Sequence, residues 1–370
     1  MNNPCGLYIH IPFCSGKCPY CSFFSKTAGS TETENYVSQL IKLIQYYSGV
    51  YSGKLFDTIY IGGGTPSIIG TEKLCRIVEK SMECFNIIKS PEITVEMNPT
   101  SAQRIDFKKL AKSGVNRISL GVQSSDEQEL KLLGRKHSCS DVRKSVELMH
   151  SAGIYNISFD LMIGISRQTE KSMLSSIDFC IENGARHISS YILKIEDGTP
   201  YQKIYRTLNL PDEDTQADLY SLMCGYLESK GYMQYEISNF SQKGFESRHN
   251  LKYWRCDEYL GLGASAHSMM DKKRFFFPAD MQSFYDNITV SDGTGAYAEE
   301  YVMLGLRLSE GISFDDYKKF FYLPFPEAAL NTAAKYQKYG LVRISDKGIS
   351  LTKSGFLVSN SIIADILNYI

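Results

Sequence analysis

Cys14-Ser15-Gly16-Lys17-Cys18-Pro19-Tyr20-Cys21 is a C-x3-C-x2-C stretch, and it directly follows the apolar run Gly6-Leu7-Tyr8-Ile9-His10-Ile11-Pro12. A loop this short can wrap three thiolates around one cubic iron–sulfur cluster. Four cysteines saturate such a cluster. Three leave one iron open, and an open position is what separates a reactive metal site from a structural one, as in zinc proteins. The competing readings are three unrelated thiols, or a zinc site that would lack a His or fourth Cys at ligand spacing.

The surroundings narrow the class. The chain has 370 residues, 43% of them hydrophobic and 22% charged, with a formal net charge of −1. This is a globular composition with ample core-forming material. The near-zero charge argues against nucleic-acid binding by bulk electrostatics. No apolar run approaches the ~18 residues of a membrane span. Met1-Asn2-Asn3-Pro4-Cys5 lacks the basic and apolar regions of a secretory signal, so neither a leader nor a domain ahead of the cysteine loop is expected. Cys5, Cys75, Cys84, Cys139, Cys180, Cys224 and Cys256 show no pairing rhythm. That reads as reduced thiols in a cytoplasmic protein.

From residue 6 to about 195, short apolar runs alternate with amphipathic segments. The expected strands are 7–11, 55–61, 92–96, 117–122, 157–163 and 187–193. The expected helices are 31–47 (capped by Thr31 or Thr33), 72–85, 107–113, 126–133, 141–152 and 168–183. Six β–α repeats predict an α/β fold with a parallel sheet. Such sheets carry their sites at the carboxyl ends of the strands, and the polar motifs fall there. Gly62-Gly63-Gly64-Thr65-Pro66 follows the second strand, either as a close approach to a ligand or as a plain turn. Glu96-Met97-Asn98-Pro99 ends the third, where the carboxylate can take a ligand amine or cap a helix. Gln123 ends the fourth. Arg135 follows a tight turn and can pair with a carboxylate or stand alone on the surface. Asp160 lies inside an apolar strand, where a carboxylate is costly unless partnered.

Together these residues resemble one branch of the radical S-adenosylmethionine (SAM) superfamily, the group of oxygen-independent coproporphyrinogen III dehydrogenase and the HemW-type heme chaperones. The matching pieces are Tyr8–Cys14, the Cys14, Cys18 and Cys21 triad, Gly62–Pro66, Glu96–Pro99, Ser119–Gln123, Gly134-Arg135, Asp160–Gly164 and Tyr191–Pro200. The resemblance implies a partial (β/α)6 TIM-like radical SAM barrel and a [4Fe–4S] cluster held by Cys14, Cys18 and Cys21. It further implies SAM chelated on the open iron, whose reductive cleavage releases a 5′-deoxyadenosyl radical. By position, Tyr8, Gly63 and Glu96 match contacts to that SAM. Tyr20, Gly64, Thr65, Gln123, Arg135 and Asp160 match the neighbouring site, which in the dehydrogenase holds a second SAM.

Three features separate the branches. The dehydrogenase carries a fourth cysteine two residues after the third, and Phe23 stands there in this chain. The dehydrogenase also carries an extra segment before the cluster strand. Ser22 is atypical for the chaperones, which often have an acidic residue at that position. His249-Asn250-Leu251-Lys252-Tyr253-Trp254 matches the H-N-x-x-Y-W element that the resemblance ties to heme binding. A neutral imidazole is a good axial ligand for heme iron, and Tyr253 and Trp254 offer flat apolar faces. The same cluster also suits plain core packing, and His10 and His267 are alternative ligands.

Beyond residue 205 the β–α rhythm stops. Residues 212–231 read as a helix, and 271–295 as a polar, irregular boundary. From 296 the pattern turns helical, with a hairpin over 341–351 turning at Asp346-Lys347-Gly348. The expected units are a barrel over 1–205, an extension over 206–295 carrying the H-N-x-x-Y-W element, and a small, mainly helical, winged-helix-like domain over 296–370. With no basic excess, that last unit reads as a cover and not as a DNA reader. The resemblance implies a chaperone that binds heme and passes it to an acceptor protein, in one version membrane-bound, with an electron donor for the cluster. The alternative is oxidative decarboxylation of coproporphyrinogen III, or another radical SAM reaction on a tetrapyrrole.

Overall fold

A computed structural model describes residues 3–370 of the chain. Six strands come first: β1 (Cys5–Ile11), β2 (Phe56–Gly63), β3 (Ile87–Met97), β4 (Arg117–Gln123), β5 (Asn156–Ile163) and β6 (His187–Ile192). Each pairs in parallel with the next. Parallel neighbours require a crossover. Helices Ser30–Val50, Thr71–Cys84, Phe107–Lys112, Cys139–Ser151 and Glu170–Glu182 supply it. Neither Thr31 nor Thr33 caps the first of them. It starts at Ser30 after Gly29, and the Thr33 hydroxyl instead donates to the Ser30 carbonyl at 2.9 Å.

Successive strand residues point to opposite faces. Leu7, Ile9 and Ile11 of β1, Ile118, Leu120 and Val122 of β4, and Ile157, Phe159 and Leu161 of β5 are almost wholly buried and share one core with Val37, Leu40 and Ile44 of the first helix. The other face is polar. Tyr8, Tyr60, Glu96, Ser119, Asp160 and His187 line a single cavity of about 760 Å³. The six strands therefore curl around a polar lumen and put their apolar face against the helices.

The sheet does not end with β6. β7 (Met233–Glu236) and β8 (Asn239–Ser241) add antiparallel strands at that edge. At the other edge β9 (Tyr259–Leu262) runs parallel to β1, followed by antiparallel β10 (His267–Met270), β11 (Lys273–Phe276) and β12 (Val290–Thr294). The sheet has 12 strands, in the order β12-β11-β10-β9-β1-β2-β3-β4-β5-β6-β8-β7, where the sequence suggests six. The stretch 271–295 is thus not an irregular boundary but strand and the short helix Met281–Tyr285. Its strands are too short to show a two-residue period, and β12 is exposed along its whole length.

After residue 296, helices Ala298–Gly305, Phe314–Phe321, Glu327–Gln337, Lys353–Leu357 and Ser359–Leu367 surround a small sheet of β13 (Ile312–Ser313), β15 (Gly348–Leu351) and β14 (Val342–Ile344). The last two of these helices are divided at Val358. Among the described residues no helix is long and apolar enough to cross a membrane.

Gly261 lets β9 lie against the start of β10. A Cβ there would stand 2.1 Å from the His267 carbonyl oxygen, whereas one at Gly53 meets nothing within 4 Å. Gly261→Ala should therefore lower stability by about 1–3 kcal/mol in urea unfolding, and Gly53→Ala should stay within about 0.5 kcal/mol of the parent.

Candidate functional site at the carboxyl ends of the strands

The cysteine loop leaves the end of β1 and is tied at both ends. Cys14 N donates to the Lys26 carbonyl at 3.0 Å and Lys26 N to the Pro12 carbonyl at 2.8 Å. Phe13 is fully buried against Tyr36, with ring centroids 5.2 Å apart. The glycine turn after β2 is hydrogen-bonded to the same loop: Gly64 N to the Ile11 carbonyl at 2.9 Å and Thr65 N to the Phe13 carbonyl at 2.8 Å. At Gly64 a Cβ would come within 2.7 Å of the Phe13 carbonyl oxygen and 3.1 Å of the Cys14 Sγ. A glycine is therefore required there for the turn to close on the cysteines.

All three motif cysteines line the barrel cavity, together with Tyr8, Tyr20, Gly63, Gly64, Thr65, Glu96, Gln123, Arg135 and Asp160. The fold thus brings every proposed cluster and SAM residue to one cavity. Thr65 Oγ1 lies 3.4 Å from Cys14 Sγ, and Arg135 Nη1 lies 3.8 Å from Cys18 Sγ. Arg135 Nη2 also donates to the Gly121 carbonyl at 2.6 Å, so it is neither a free surface cation nor paired with a carboxylate. Phe23 is 64% exposed on the rim.

The acidic residues divide the lumen. Glu96 accepts from the Tyr60 hydroxyl at 2.8 Å and from Gly63 N at 3.1 Å. Burial nevertheless pushes its carboxyl up to about 7, with the nearby Asp160 adding to the rise. Asp160 accepts from Ser119 Oγ at 3.0 Å, and burial raises it to about 6. Burial also raises the Cys21 thiol and the Tyr20 phenol above their usual ranges. Gln123 sits at a left-handed φ of 68° where the β4–β5 register shifts, and it accepts from the Tyr191 hydroxyl at 3.4 Å.

The H-N-x-x-Y-W element forms helix Arg248–Trp254 beneath this lumen. Ser247 caps it, and Glu92 of β3 accepts from the Arg248 and His249 backbone N–H groups, both at 3.1 Å. A carboxylate at a helix N-terminus is favourable. His249, Asn250 and Tyr253 line the barrel cavity. The His249 ring is 1% exposed, with Thr58 Oγ1 2.7 Å from Nδ1 and the Tyr253 hydroxyl 2.9 Å from Nε2. Burial lowers its pKa to about 3, so the imidazole is neutral. Trp254 lies elsewhere, on a second cavity of about 1070 Å³ toward the C-terminal unit. The four residues of the element therefore do not converge on one ligand surface. His10 is buried behind Gly63, and His267 is exposed on the sheet extension, stacked on Phe276 with centroids 4.9 Å apart.

Among the lumen residues that no motif singles out are Arg117 at the start of β4 and His187 at the start of β6. Both line the barrel cavity and are 1% exposed. The available signal is periodic: Arg117, Ser119, Gly121 and Gln123 alternate with Ile118, Leu120 and Val122, which marks the former as the lumen face.

The cysteine set fits a cluster better than a single ion. Among the described residues no three His, Cys, Asp or Glu side chains are drawn together closely enough to hold one metal ion. A cube of four irons places its ligands on separate corners, and Cys14, Cys18 and Cys21 all line the one cavity.

Residues 8–180 match the family model of the Radical SAM superfamily, and residues 296–358 match that of the HemN C-terminal domain. With the cysteine loop at the end of β1, this places the chain among the radical SAM proteins. The heme chaperone HemW of Bacillus subtilis is 33% identical over 375 residues, covering 96% of this chain and 97% of that protein. The heme chaperone HemW of Lactococcus lactis is 32% identical over 372 residues, covering 96% and 97%. The chain belongs to the HemW family. Its fold is also that of Escherichia coli coproporphyrinogen III oxidase, HemN, with a TM-score of 0.83 at 20% identity, covering 100% of this chain and 91% of that one.

Because the folded Glu96 carboxyl titrates near 7 and its unfolded counterpart near 4.5, the protonated form stabilises the fold, and this contribution is lost as pH rises through 7. Glu96→Gln keeps the neutral shape at all pH values. Its stability relative to the parent should improve between pH 5 and pH 8 by about 1–3 kcal/mol, read from urea unfolding of the cofactor-free protein.

Proposed function

We propose that the protein is a heme chaperone of the HemW type, binding heme and passing it to an acceptor protein. The observation that carries this reading is the similarity to HemW proteins over 96% of the chain. The exposed Phe23 at the position of the dehydrogenase's fourth cysteine supports it. The radical SAM family implies a [4Fe–4S] cluster and SAM, and three ligands, Cys14, Cys18 and Cys21, would hold the cluster. When bound, that pair supplies one-electron cleavage of the SAM sulfonium.

The chain's own residues orient and shield. Tyr8, Gly63 and Glu96 would receive the SAM, with the Glu96 carboxylate facing its ammonium group. Tyr20, Gly64, Thr65, Gln123, Arg135 and Asp160 would line the adjoining space. The Arg135 guanidinium beside Cys18 offsets thiolate charge. Heme would contact His249, Asn250 and Tyr253 from the lumen, while Trp254 offers its face to the second cavity. Ligation through His249 Nε2 requires the Tyr253 hydroxyl to turn away, so binding and a local rearrangement go together. An electron donor for the cluster and a heme acceptor, in one version at a membrane, complete the partner set. The 10 free cysteines suit a cytoplasmic setting. The proposed units are the barrel over 1–205, the extension over 206–295 and the C-terminal unit over 296–370.

Anaerobic reconstitution should yield about four irons per chain, and Cys18→Ala should reduce this to background; retained iron would remove the triad assignment. Heme added to the purified protein should shift the Soret band, with binding weakened about tenfold or more in His249→Ala. An unchanged titration would move the heme site off the helix. Incubation with coproporphyrinogen III, reductant and SAM should leave the substrate intact. Formation of protoporphyrinogen would establish the decarboxylating alternative.

A further inference from the structure

Arg117 is the strongest unexplained feature of the molecule. Its side chain is 1% exposed, yet Nε and Nη1 have no hydrogen-bond partner, and among the described residues it joins no ion pair. Buried guanidinium groups normally carry paired carboxylates, and an uncompensated one is a costly arrangement. The chain's own lumen acids make no hydrogen bond or ion pair with it, although its charge acts on both Glu96 and Asp160. Glu96 is engaged by Tyr60 and Gly63, and Asp160 by Ser119, and burial drives both carboxyls toward the neutral form.

The surroundings of Arg117 hold unpartnered oxygens. Thr94 Oγ1, on the residue paired with Arg117 in the sheet, and Asn239 Oδ1, on the cavity wall, are also buried without partners. The nearby imidazoles of His187 and His249 are both neutral and already bonded, to Ser158 and Tyr235 and to Thr58 and Tyr253. The floor of the lumen thus holds one unmatched positive charge with free donors, open to the same cavity as the cysteine loop.

We propose that Arg117 is the seat for a carboxylate arm of the bound tetrapyrrole, one propionate reaching down the barrel to the guanidinium. This rests on the heme reading above and adds where and how the ligand is oriented. A guanidinium fork matches a carboxylate bidentately, through Nη1 and Nη2 or through Nε and Nη2, so pairing would satisfy one of the two orphan donors and compensate the charge. Free small carboxylates and the SAM carboxylate share that chemistry. Arg117 starts β4 and Gln123 ends it at the cysteine end, and the probes below separate these sources.

The test compares heme with its dimethyl ester, and adds ¹³C-propionate and SAM as separate probes, on the parent, Arg117→Gln and Arg117→Lys. The parent should bind free-acid heme at least tenfold more tightly than the ester. Arg117→Gln should abolish that preference, and Arg117→Lys should keep part of it, with reconstituted iron content unchanged in both. ¹³C-propionate resonances should broaden with the parent and not with Arg117→Gln. Equal binding of acid and ester by the parent overturns the proposal without any variant, which covers a variant that fails to fold. Loss of SAM affinity instead of heme preference overturns it in favour of the SAM carboxylate. Propionate binding without heme binding overturns the tetrapyrrole assignment together with the heme reading, and leaves only a small-anion site. Heme binding without acid preference spares the heme reading and removes the seat.

Discussion

The structure depends on a pair of backbone hydrogen bonds. Gly64 N to Ile11 O and Thr65 N to Phe13 O fasten the glycine turn of β2 to the loop leaving β1. Without them the cysteine loop would be a surface excursion. With them its three thiols face a cavity whose opposite wall is built by β3 to β6. The contact needs a residue with no Cβ at Gly64, because the Phe13 carbonyl occupies that space. It also relies on parallel pairing of β1 and β2, which brings their carboxyl ends to the same level.

The second organising constraint is the polar lumen. A barrel of this kind buries Glu96, Arg117, Asp160, His187 and His249 together, and each must be neutralised or satisfied. The acids move toward protonation, the histidines stay neutral within hydrogen-bond pairs, and Arg117 keeps Nε and Nη1 free. That uneven distribution is a chemical asymmetry along the barrel axis. Thiols and Arg135 lie at one end, and an unmatched cation lies at the other. A ligand with carboxylate arms and a flat apolar body would be oriented by it.

The helix carrying His249 shows how one motif serves two surfaces. Glu92 and Ser247 hold its start, while Lys252 pairs with Asp57 at 2.7 Å and donates to the Pro4 carbonyl at 2.7 Å. The helix is thereby fixed against β1, β2 and β3, with His249 and Tyr253 toward the lumen and Trp254 toward the second cavity. Packing and ligand-binding readings of the motif are not exclusive here: the imidazole is packed and bonded first, and a ligand would have to displace Tyr253.

Local sequence determined much of this. Glycine and cysteine spacing, apolar runs and their crossover helices are short-range signals, and they placed the six parallel strands and the motif residues that line the lumen. Short-range signals also carried the hairpin at Asp346-Lys347-Gly348. They failed at β7 to β12, whose strands of three to five residues acquire their state only by pairing with distant edges. They failed as well for the partners of buried charge. That Arg135 binds the Gly121 carbonyl, that Glu92 caps a helix 156 residues later, and that Arg117 has no partner are outcomes of which strands become neighbours. Residue types and their order fixed the chemistry available to the chain; closure of the barrel decided which charges would meet, because desolvation acts on a group only once the fold has surrounded it.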